Sequence, residues 1–392
     1  MARIFAATGW SVVVFTGRDW IAVWERRIAG GEDVLATDRL VTVRELPGLD
    51  ATDDDDDGDA GAKLSARAAR MCITLQPELA AAAVDLVICD VITVCGGWAA
   101  ERLGVPWIEL SPHPLYQPSR GLPPIGSGLA AGVSRRGRLR DRLMRAATAR
   151  SLAQGERQRA VARCGIGLPA VGSGPAARFL ATLPALEVPR PDWPATAHVI
   201  GPLLWEPTTE RFDVPSGPGP LVVIAPSTAV TGAEGMVATA ITALDPDVTG
   251  RAVRVVVSAL DTADVVDPEA TPSWVTVGSG RQDILLRHAD LVICGGGHGM
   301  LAKTLRAGVP VVTVPGGGDQ WELANRVARQ GSGVVVRPVT VPNLRQACRR
   351  VLDDPYFARA ARAAASTAHD VVDPVACAEA VVSAVVTVGP TS

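Results

Sequence analysis

The segment DLVICGGGHGMLAKTLRAGVPVVTVPGGGDQWELANRV, residues 290–327, shows the structural pattern of the chain most clearly. A short apolar run leads into a glycine turn and a helix-forming stretch, and the same order then repeats. Continuous apolar strands are typical of a parallel sheet that helices cover on both faces. The segment therefore predicts two consecutive strand–helix units of a doubly wound α/β domain.

The same pattern occurs in both halves of the chain. At 392 residues the chain is longer than one hydrophobic core usually organises, so two domains are expected. The predicted strands are SVVVF (11–15), DLVICD (85–90), PWIEL (106–110), LVVIA (221–225), RVVVS (254–258), DLVIC (290–294) and PVVTV (310–314). These runs predict an α/β chain with two doubly wound, Rossmann-like domains.

A stretch rich in proline, glycine and charge, WEPTTERFDVPSGPGP (205–220), predicts an interdomain linker. We expect an N-terminal domain at 1–204, a linker at 205–219 and a C-terminal domain at 220–370. Residues 371–392 are expected to form a helix that crosses back to the N-terminal domain, followed by a tail. The acidic run 51–62 predicts a solvated loop, with a divalent-ion site as the alternative.

The composition is that of an ordinary globular protein. The chain is 47% hydrophobic and 20% charged with a net charge of −3, which gives no basic surface for nucleic acid. Seven scattered cysteines without a C-x-x-C pair argue against a disulfide framework and a zinc site. The first residues lack a signal-peptide pattern, and the apolar stretch 371–388 is interrupted by charge, so a cytoplasmic protein without a transmembrane segment is expected.

The glycines at 295–297 and 299 fall where a strand passes into a helix. Glycine lets backbone amides approach an anion, and a helix N-terminus favours a phosphate. A second glycine turn at 315–318 brings Asp319 and Gln320 to the end of the next strand, and APSTAV (225–230) brings Ser227 and Thr228 to the same edge. Ligands bind open α/β sheets at that edge, so the sequence predicts a phosphate-containing ligand there.

Two features keep other interpretations open. Gly297-x-Gly299-x-x-Ala302 with Asp319 twenty residues after Gly299 matches a dinucleotide-binding pattern, although Asp319 does not close the strand itself. His298 could equally be a capping or packing residue. The turn-rich segment 111–129 carries His113 and Tyr116 and predicts either ligand contact or an irregular surface connection.

Residues 274–333 resemble the signature region of the nucleotide-sugar-dependent, UDP-glycosyltransferase-like family. GRQDILLRHADLVICGGGHG (280–299) and AGVPVVTVPGGGDQWELANRV (307–327) carry the resemblance, and weaker similarity covers 85–106 and 198–207. It implies the GT-B fold, in which two Rossmann-like domains face each other across a cleft. It also implies an enzyme that transfers a sugar, with inversion, from a nucleotide diphosphate to a hydroxyl of a small apolar acceptor such as a lipid or secondary metabolite.

The resemblance assigns roles to individual residues. Asp319 and Gln320 would bind the donor sugar, Gln282 would lie beside the nucleotide, and Asp90 would be the acidic half of a catalytic dyad. His113 and Tyr116 are the candidate acceptor contacts. The candidate donor-binding residues are Ser227, Thr228, Gln282, Gly295, Gly296, Gly297, His298, Gly299, Met300, Lys303, Asp319 and Gln320. The donor would be a UDP- or dTDP-sugar acting as co-substrate, with no cofactor and no metal.

The sequence departs from the family pattern at several positions. Its start resembles the end of the family's first helix and its second strand, so the first strand and the catalytic-His loop have no match. Gly295 replaces a phosphate-contacting His, Lys303 replaces a ribose-binding carboxylate, and Ser279 and Arg281 replace an aromatic residue and a proline. These changes favour a dTDP-sugar, and they leave a catalytically impaired, ligand-binding homologue and an epimerase as alternatives. Peripheral membrane contact also stays open.

Overall fold

The structure is a computed structural model that describes residues 1–29, 35–48, 60–226, 235–259 and 271–387. All seven predicted strands are confirmed. The strands are β1 Val12–Thr16, β2 Val41–Glu45, β3 Val87–Asp90, β4 Trp107–Ser111, β5 Ala177–Leu180, β6 Ala197–Val199, β7 Leu221–Ala225, β8 Arg254–Ser258, β9 Val275–Gly278, β10 Leu291–Cys294, β11 Val311–Thr313 and β12 Gly333–Val335.

Helices lie between many of these strands along the chain. They are α1 Ala2–Ala7, α2 Arg18–Ala29, α3 Ala60–Ala81, α4 Cys95–Leu103, α5 Arg135–Gly165, α6 Met236–Leu244, α7 Pro246–Thr249, α8 Gln282–Leu286, α9 His298–Arg306, α10 Gly318–Gln330, α11 Val341–Asp353, α12 Pro355–Ser366 and α13 Pro374–Thr387. No helix in the described ranges is long and apolar enough to cross a membrane.

The C-terminal half forms one parallel sheet of six strands in the order β12-β11-β10-β7-β8-β9. Its central strands β7 and β10 are buried along their whole length, which explains their unbroken apolar sequences. Leu344 of α11 packs in the apolar layer on one face, and Leu301 of α9 and Leu323 of α10 pack in the layer on the other. The sheet is therefore doubly wound, and the glycine turns after β10 and β11 share its carboxyl edge.

The N-terminal half contains two parallel sheets, the four-stranded β3-β4-β5-β6 and the two-stranded β1-β2. The sequence predicted a doubly wound, Rossmann-like domain in this half, and the structure divides its strands between these two sheets. Phe15 of β1 packs in the layer with α3 and α4, and Val12 of β1 packs in the opposite layer with Phe5. The two sheets thus share their helix layers, but no hydrogen bonds among the described residues join β1 to β3.

Residues 201–220 contain no helix or strand. After the C-terminal sheet the chain returns to the N-terminal half, where the Val372 amide donates to the Val199 carbonyl at 2.8 Å. Val375 and Ala378 of α13 then pack against Ile108 and Phe179 of the four-stranded sheet. The acidic run at 53–57 lies outside the described residues, so its predicted loop stays a prediction.

Candidate functional site

The turn after β10 leads into α9 without a side-chain cap at the start of the helix. Gly296 has φ +83°, and a Cβ at this position would lie 3.1 Å from the carbonyl oxygen of Gln320. Gly297 caps α9 without any side chain bonding to the first amides of the helix. Gly295 is buried, Gly299 is exposed, and Met300 packs against the apolar layer beneath. This turn therefore has the geometry of an anion site.

His298, the first residue of α9, reaches the N-terminal half. Its Nε2 lies 2.8 Å from Oγ1 of Thr182, which follows β5. Burial, and after it the neighbouring charge of His113, lowers the pKa of His298 to about 4. The imidazole is thus neutral near pH 7, and it is not a fixed positive charge for a phosphate. The hydrogen bond to Thr182 connects the glycine turn after β10 to the opposite domain.

His113 follows β4 and has a defined tautomer. Its Nδ1 lies 2.8 Å from the carbonyl oxygen of Pro114 and 3.0 Å from Oγ of Ser111. A carbonyl oxygen only accepts hydrogen bonds, so Nδ1 carries a proton, and Nε2 carries the lone pair when the ring is neutral. The ring stacks on Tyr116 with centroids 4.2 Å apart and an interplanar angle of 13°. His113 is therefore oriented as a proton acceptor.

Tyr116 lies near Asp319 at the start of α10. Burial, and after it the negative charge of Asp319, raises the pKa of its phenol above the usual range. The hydroxyl is buried, and it has no hydrogen-bond partner among the described residues. Buried hydroxyl groups are normally paired, so this oxygen is a candidate for a ligand contact.

Asp319 and Gln320 occupy the first turn of α10 and have different environments. The Asp319 side chain is exposed at the end of the glycine turn. The Gln320 side chain is 4% exposed, and its Oε1 accepts from the Gly316 amide at 3.1 Å. Asp319 is thus available to a ligand, whereas Gln320 holds the turn in shape.

A chain of polar contacts lies farther along the same edge. Gln282 donates from Nε2 to Oγ of Ser258 at 2.9 Å and accepts at Oε1 from Nζ of Lys303, also at 2.9 Å. Lys303 Nζ is 2.8 Å from Oε1 of Glu206, which comes from the segment between the two sheets. The sequence indicated Gln282 and Lys303 but gave no signal for Ser258 or Glu206, because the four come from separate parts of the chain.

Asp90 lies at the carboxyl end of β3, one strand from the strand that leads to His113. Its Oδ1 accepts from the amides of Ile92 at 2.9 Å and Thr93 at 3.0 Å. Within the described residues Asp90 is bonded to no histidine. The predicted dyad role of Asp90 therefore stays a prediction.

Two further predictions concern the hydroxyl groups of Ser227 and Thr228 and the metal content of the site. Ser227 and Thr228 lie outside the described residues, so their predicted contacts stay predictions. In the part of the chain that the structure describes, no group of three or more His, Cys, Asp or Glu side chains could hold a metal ion.

The loop that carries His113 continues across the cleft and docks on α10. The Gly128 amide donates to Oε2 of Glu322 at 2.9 Å, and Trp321 donates from Nε1 to the Ser127 carbonyl at 3.1 Å. Arg329 donates to the carbonyl oxygen of Gly128 at 2.7 Å. These bonds hold the loop of the N-terminal half against the helix that begins with the Asp319 turn.

Comparison with known proteins agrees with this arrangement. Residues 247–386 match the family described as erythromycin biosynthesis protein CIII-like, C-terminal domain. The chain is 31% identical over 293 residues to 4'-demethylrebeccamycin synthase of Lentzea aerocolonigenes, covering 70% of this chain and 67% of that protein. Sterol 3-beta-glucosyltransferase of Vanderwaltozyma polyspora is 34% identical over 95 residues, 24% of this chain and 8% of that protein.

Solved structures share the fold at low sequence identity. The spinosyn forosaminyltransferase SpnP has a TM-score of 0.69 at 18% identity, covering 97% of this chain and 94% of that one. The calicheamicin glycosyltransferase CalG4 has a TM-score of 0.67 at 18% identity, covering 99% and 94%. Two Rossmann-like domains in this arrangement define the GT-B class of glycosyltransferases. The chain belongs to the UDP-glycosyltransferase-like family and is an enzyme of glycosyltransferase type.

Proposed function

We propose that the enzyme transfers a sugar from a nucleoside diphosphate to a hydroxyl of a small apolar acceptor, with inversion at the sugar. The observation that supports this most directly is the hydrogen bond between Thr182 and His298. It joins the carboxyl edge of the N-terminal sheet to the first residue of α9. Together with the hydrogen bond from Gly128 to Glu322, it supports a cleft between the loop that carries His113 and the glycine turn after β10.

The donor side is proposed from the two glycine turns. The backbone amides at 295–298 would bind the diphosphate, with the N-terminus of α9 supplying positive potential. The exposed Asp319 carboxylate would accept hydrogen bonds from sugar hydroxyls. Gln282 would lie beside the nucleoside. The donor is proposed to be a UDP- or dTDP-sugar, with the dTDP-sugar favoured because Lys303 replaces the ribose carboxylate.

His113 is proposed as the general base. Its Nδ1 proton is held by the Pro114 carbonyl, which leaves Nε2 to take a proton. The acceptor oxygen would lose its proton to Nε2 and form a bond to the anomeric carbon. The bond from that carbon to the diphosphate would break, and the leaving diphosphate would carry its charge to the amides of α9.

A ligand-binding homologue without transfer activity is the second candidate. It is favoured by Asp90, whose Oδ1 accepts from two backbone amides and is bonded to no histidine among the described residues. The two candidates share the donor site and differ only in turnover. A transfer assay on a set of hydroxylated apolar compounds separates them.

Ligand-dependent thermal stability tests the donor site. We expect UDP or dTDP to raise the melting temperature more than GDP or NAD. A ligand at 100 times its dissociation constant stabilises by about 2.7 kcal/mol. Asp319→Ala should remove the extra stabilisation that the sugar adds to the nucleotide, whereas the exposed Glu379→Ala should leave it unchanged. A larger shift with NAD would contradict the proposal and favour an oxidoreductase.

A further inference from the structure

Helix α5 concentrates positive charge on one part of the N-terminal half. It runs over 31 residues and contains ten arginines and two carboxylates, Asp141 and Glu156. The helix therefore has a net charge of +8 in a chain whose net charge is −3. At 1.5 Å per residue it is about 46 Å long.

Three of the ten arginines are used inside the protein. Arg140 bonds to Asp141, Arg145 donates to the Leu122 carbonyl, and Arg163 forms an ion pair with Glu101. The other seven are exposed and have no ion pair or hydrogen bond with the described residues: Arg135, Arg136, Arg138, Arg142, Arg150, Arg157 and Arg159. Most of the positive charge of α5 is therefore available to a partner.

Large apolar side chains lie among these arginines. Leu139 is 56% exposed and Leu143 is 61% exposed. They are one helical turn apart, so they share one side of α5. At 100° per residue, Arg136 and Arg150 lie on the same side, and Arg135 lies at its margin. We call these five residues, Arg135, Arg136, Leu139, Leu143 and Arg150, the α5 face. Val133, just before the helix, is 87% exposed.

We propose that the α5 face binds the surface of a bilayer containing anionic phospholipid. Guanidinium groups form paired hydrogen bonds with phosphate, and an anionic membrane attracts clustered arginines. Leu139 and Leu143 would enter the boundary between headgroups and acyl chains, as the apolar side chains of interfacial helices do. The helix lies on the surface and does not span it. This inference does not depend on the proposed sugar transfer.

The exposed leucines favour a lipid surface over nucleic acid. Contacts to a nucleic-acid backbone come from arginine, lysine and polar groups, and they leave apolar side chains between them in water. A bilayer removes the same leucines from water and binds the arginines as well. The two partners therefore differ in whether Leu139 and Leu143 contribute to binding.

Vesicle co-sedimentation of the full-length chain tests the proposal. The probes are vesicles of phosphatidylcholine mixed with phosphatidylglycerol, and vesicles of phosphatidylcholine alone. We expect binding to the anionic vesicles at low salt, at least tenfold weaker binding to the neutral ones, and a marked loss at high salt. Equal binding to both vesicles, or no binding to either, would overturn the proposal.

Three variants assign the binding to the α5 face. Arg135→Gln with Arg136→Gln and Arg150→Gln should weaken binding to the anionic vesicles at least tenfold. The matched control replaces three exposed arginines elsewhere, Arg26→Gln, Arg349→Gln and Arg359→Gln, and should retain binding. Equal losses of vesicle binding in both variants would show a general charge effect and would refute the assignment of binding to the α5 face.

The pair Leu139→Ser and Leu143→Ser keeps every charge and should also weaken vesicle binding. Unchanged vesicle binding in this pair would refute insertion of the leucines. If this double variant still binds a DNA duplex and no vesicle binding is observed, the partner of the α5 face would be nucleic acid and not a lipid surface. All the replaced side chains are exposed, so we expect each variant to fold. Circular dichroism checks this.

Discussion

Lys303 of α9 and Glu206 of the segment between the sheets form an ion pair, with 2.8 Å between Nζ and Oε1. The Lys303 side chain is 19% exposed and the Glu206 side chain 8%. Lys303 stands where the family pattern has a ribose-binding carboxylate. Glu206 thus brings a carboxylate to this place from another part of the chain.

Removing one partner of this pair should destabilise the enzyme strongly. Lys303→Met leaves the Glu206 carboxylate buried without its counter-charge, which typically costs about 3–5 kcal/mol. Lys303→Met combined with Glu206→Gln should recover a large part of that loss, because no charge is then left unpaired. Urea unfolding of the two single variants and the double variant measures the coupling. Losses that simply add would show that the pair contributes no interaction energy.

Folding stability should fall in mild acid because of His298. Its pKa in the folded state is about 4, and its ordinary value is 6.5. Between these values the unfolded chain binds a proton that the folded chain does not, so the free energy of unfolding decreases as pH falls from 6.5 to 4. The full shift corresponds to at most about 3 kcal/mol. His298→Gln should flatten this part of the pH profile, and an unchanged profile would refute the assignment.

Gly128→Ala should loosen the contact between α10 and the loop that carries His113. Gly128 has φ +68°, and an added Cβ would overlap the indole of Trp321. We expect a loss of about 1–3 kcal/mol from overpacking together with backbone strain. Gly250→Ala is the matched control, because Gly250 has φ +66° and open space around it. Equal losses in the two variants would assign the effect to backbone strain alone.

His113→Gln should lower the rate of sugar transfer about 10²- to 10⁴-fold if His113 is the general base. Nucleotide binding should change little, because the replaced group lies in the N-terminal half, away from the glycine turns after β10 and β11. The control is His369→Gln, an exposed histidine outside the cleft. Transfer is measured with the donor that binds best, and binding is measured by calorimetry. Equal loss of nucleotide binding and rate would indicate a structural role.

Long apolar runs made much of the fold predictable from the sequence. The five residues of β7 are all buried, and their unbroken hydrophobicity identified the strand. The strands that the sequence did not reveal are short or mixed, such as β12 with three residues and β2, where charged residues occupy VTVRE. Strands of this kind are defined by their neighbours in the sheet and carry little signal of their own.

The glycine turns after β10 and β11 were predictable from the sequence, and the residues that contact them were not. Glycines after an apolar strand indicated an anion site without knowledge of the fold. Thr182 and His298 are 116 positions apart, and no local pattern marks threonine as a partner. Glu206 likewise lies in a segment whose composition indicated only a linker. Such pairs arise from the docking of the two domains, which a single sequence does not specify.

Helix α13 packs on the four-stranded sheet of the N-terminal half, and this affects how the enzyme can be divided into fragments. Val375 and Ala378 complete the packing around Phe179, so the N-terminal half includes residues from both sides of the C-terminal sheet in the sequence. A fragment cut at the segment between the sheets would expose this apolar surface and be prone to aggregate. An expressible N-terminal fragment would need residues 371–387 fused behind it, and an excised C-terminal fragment should stop before them.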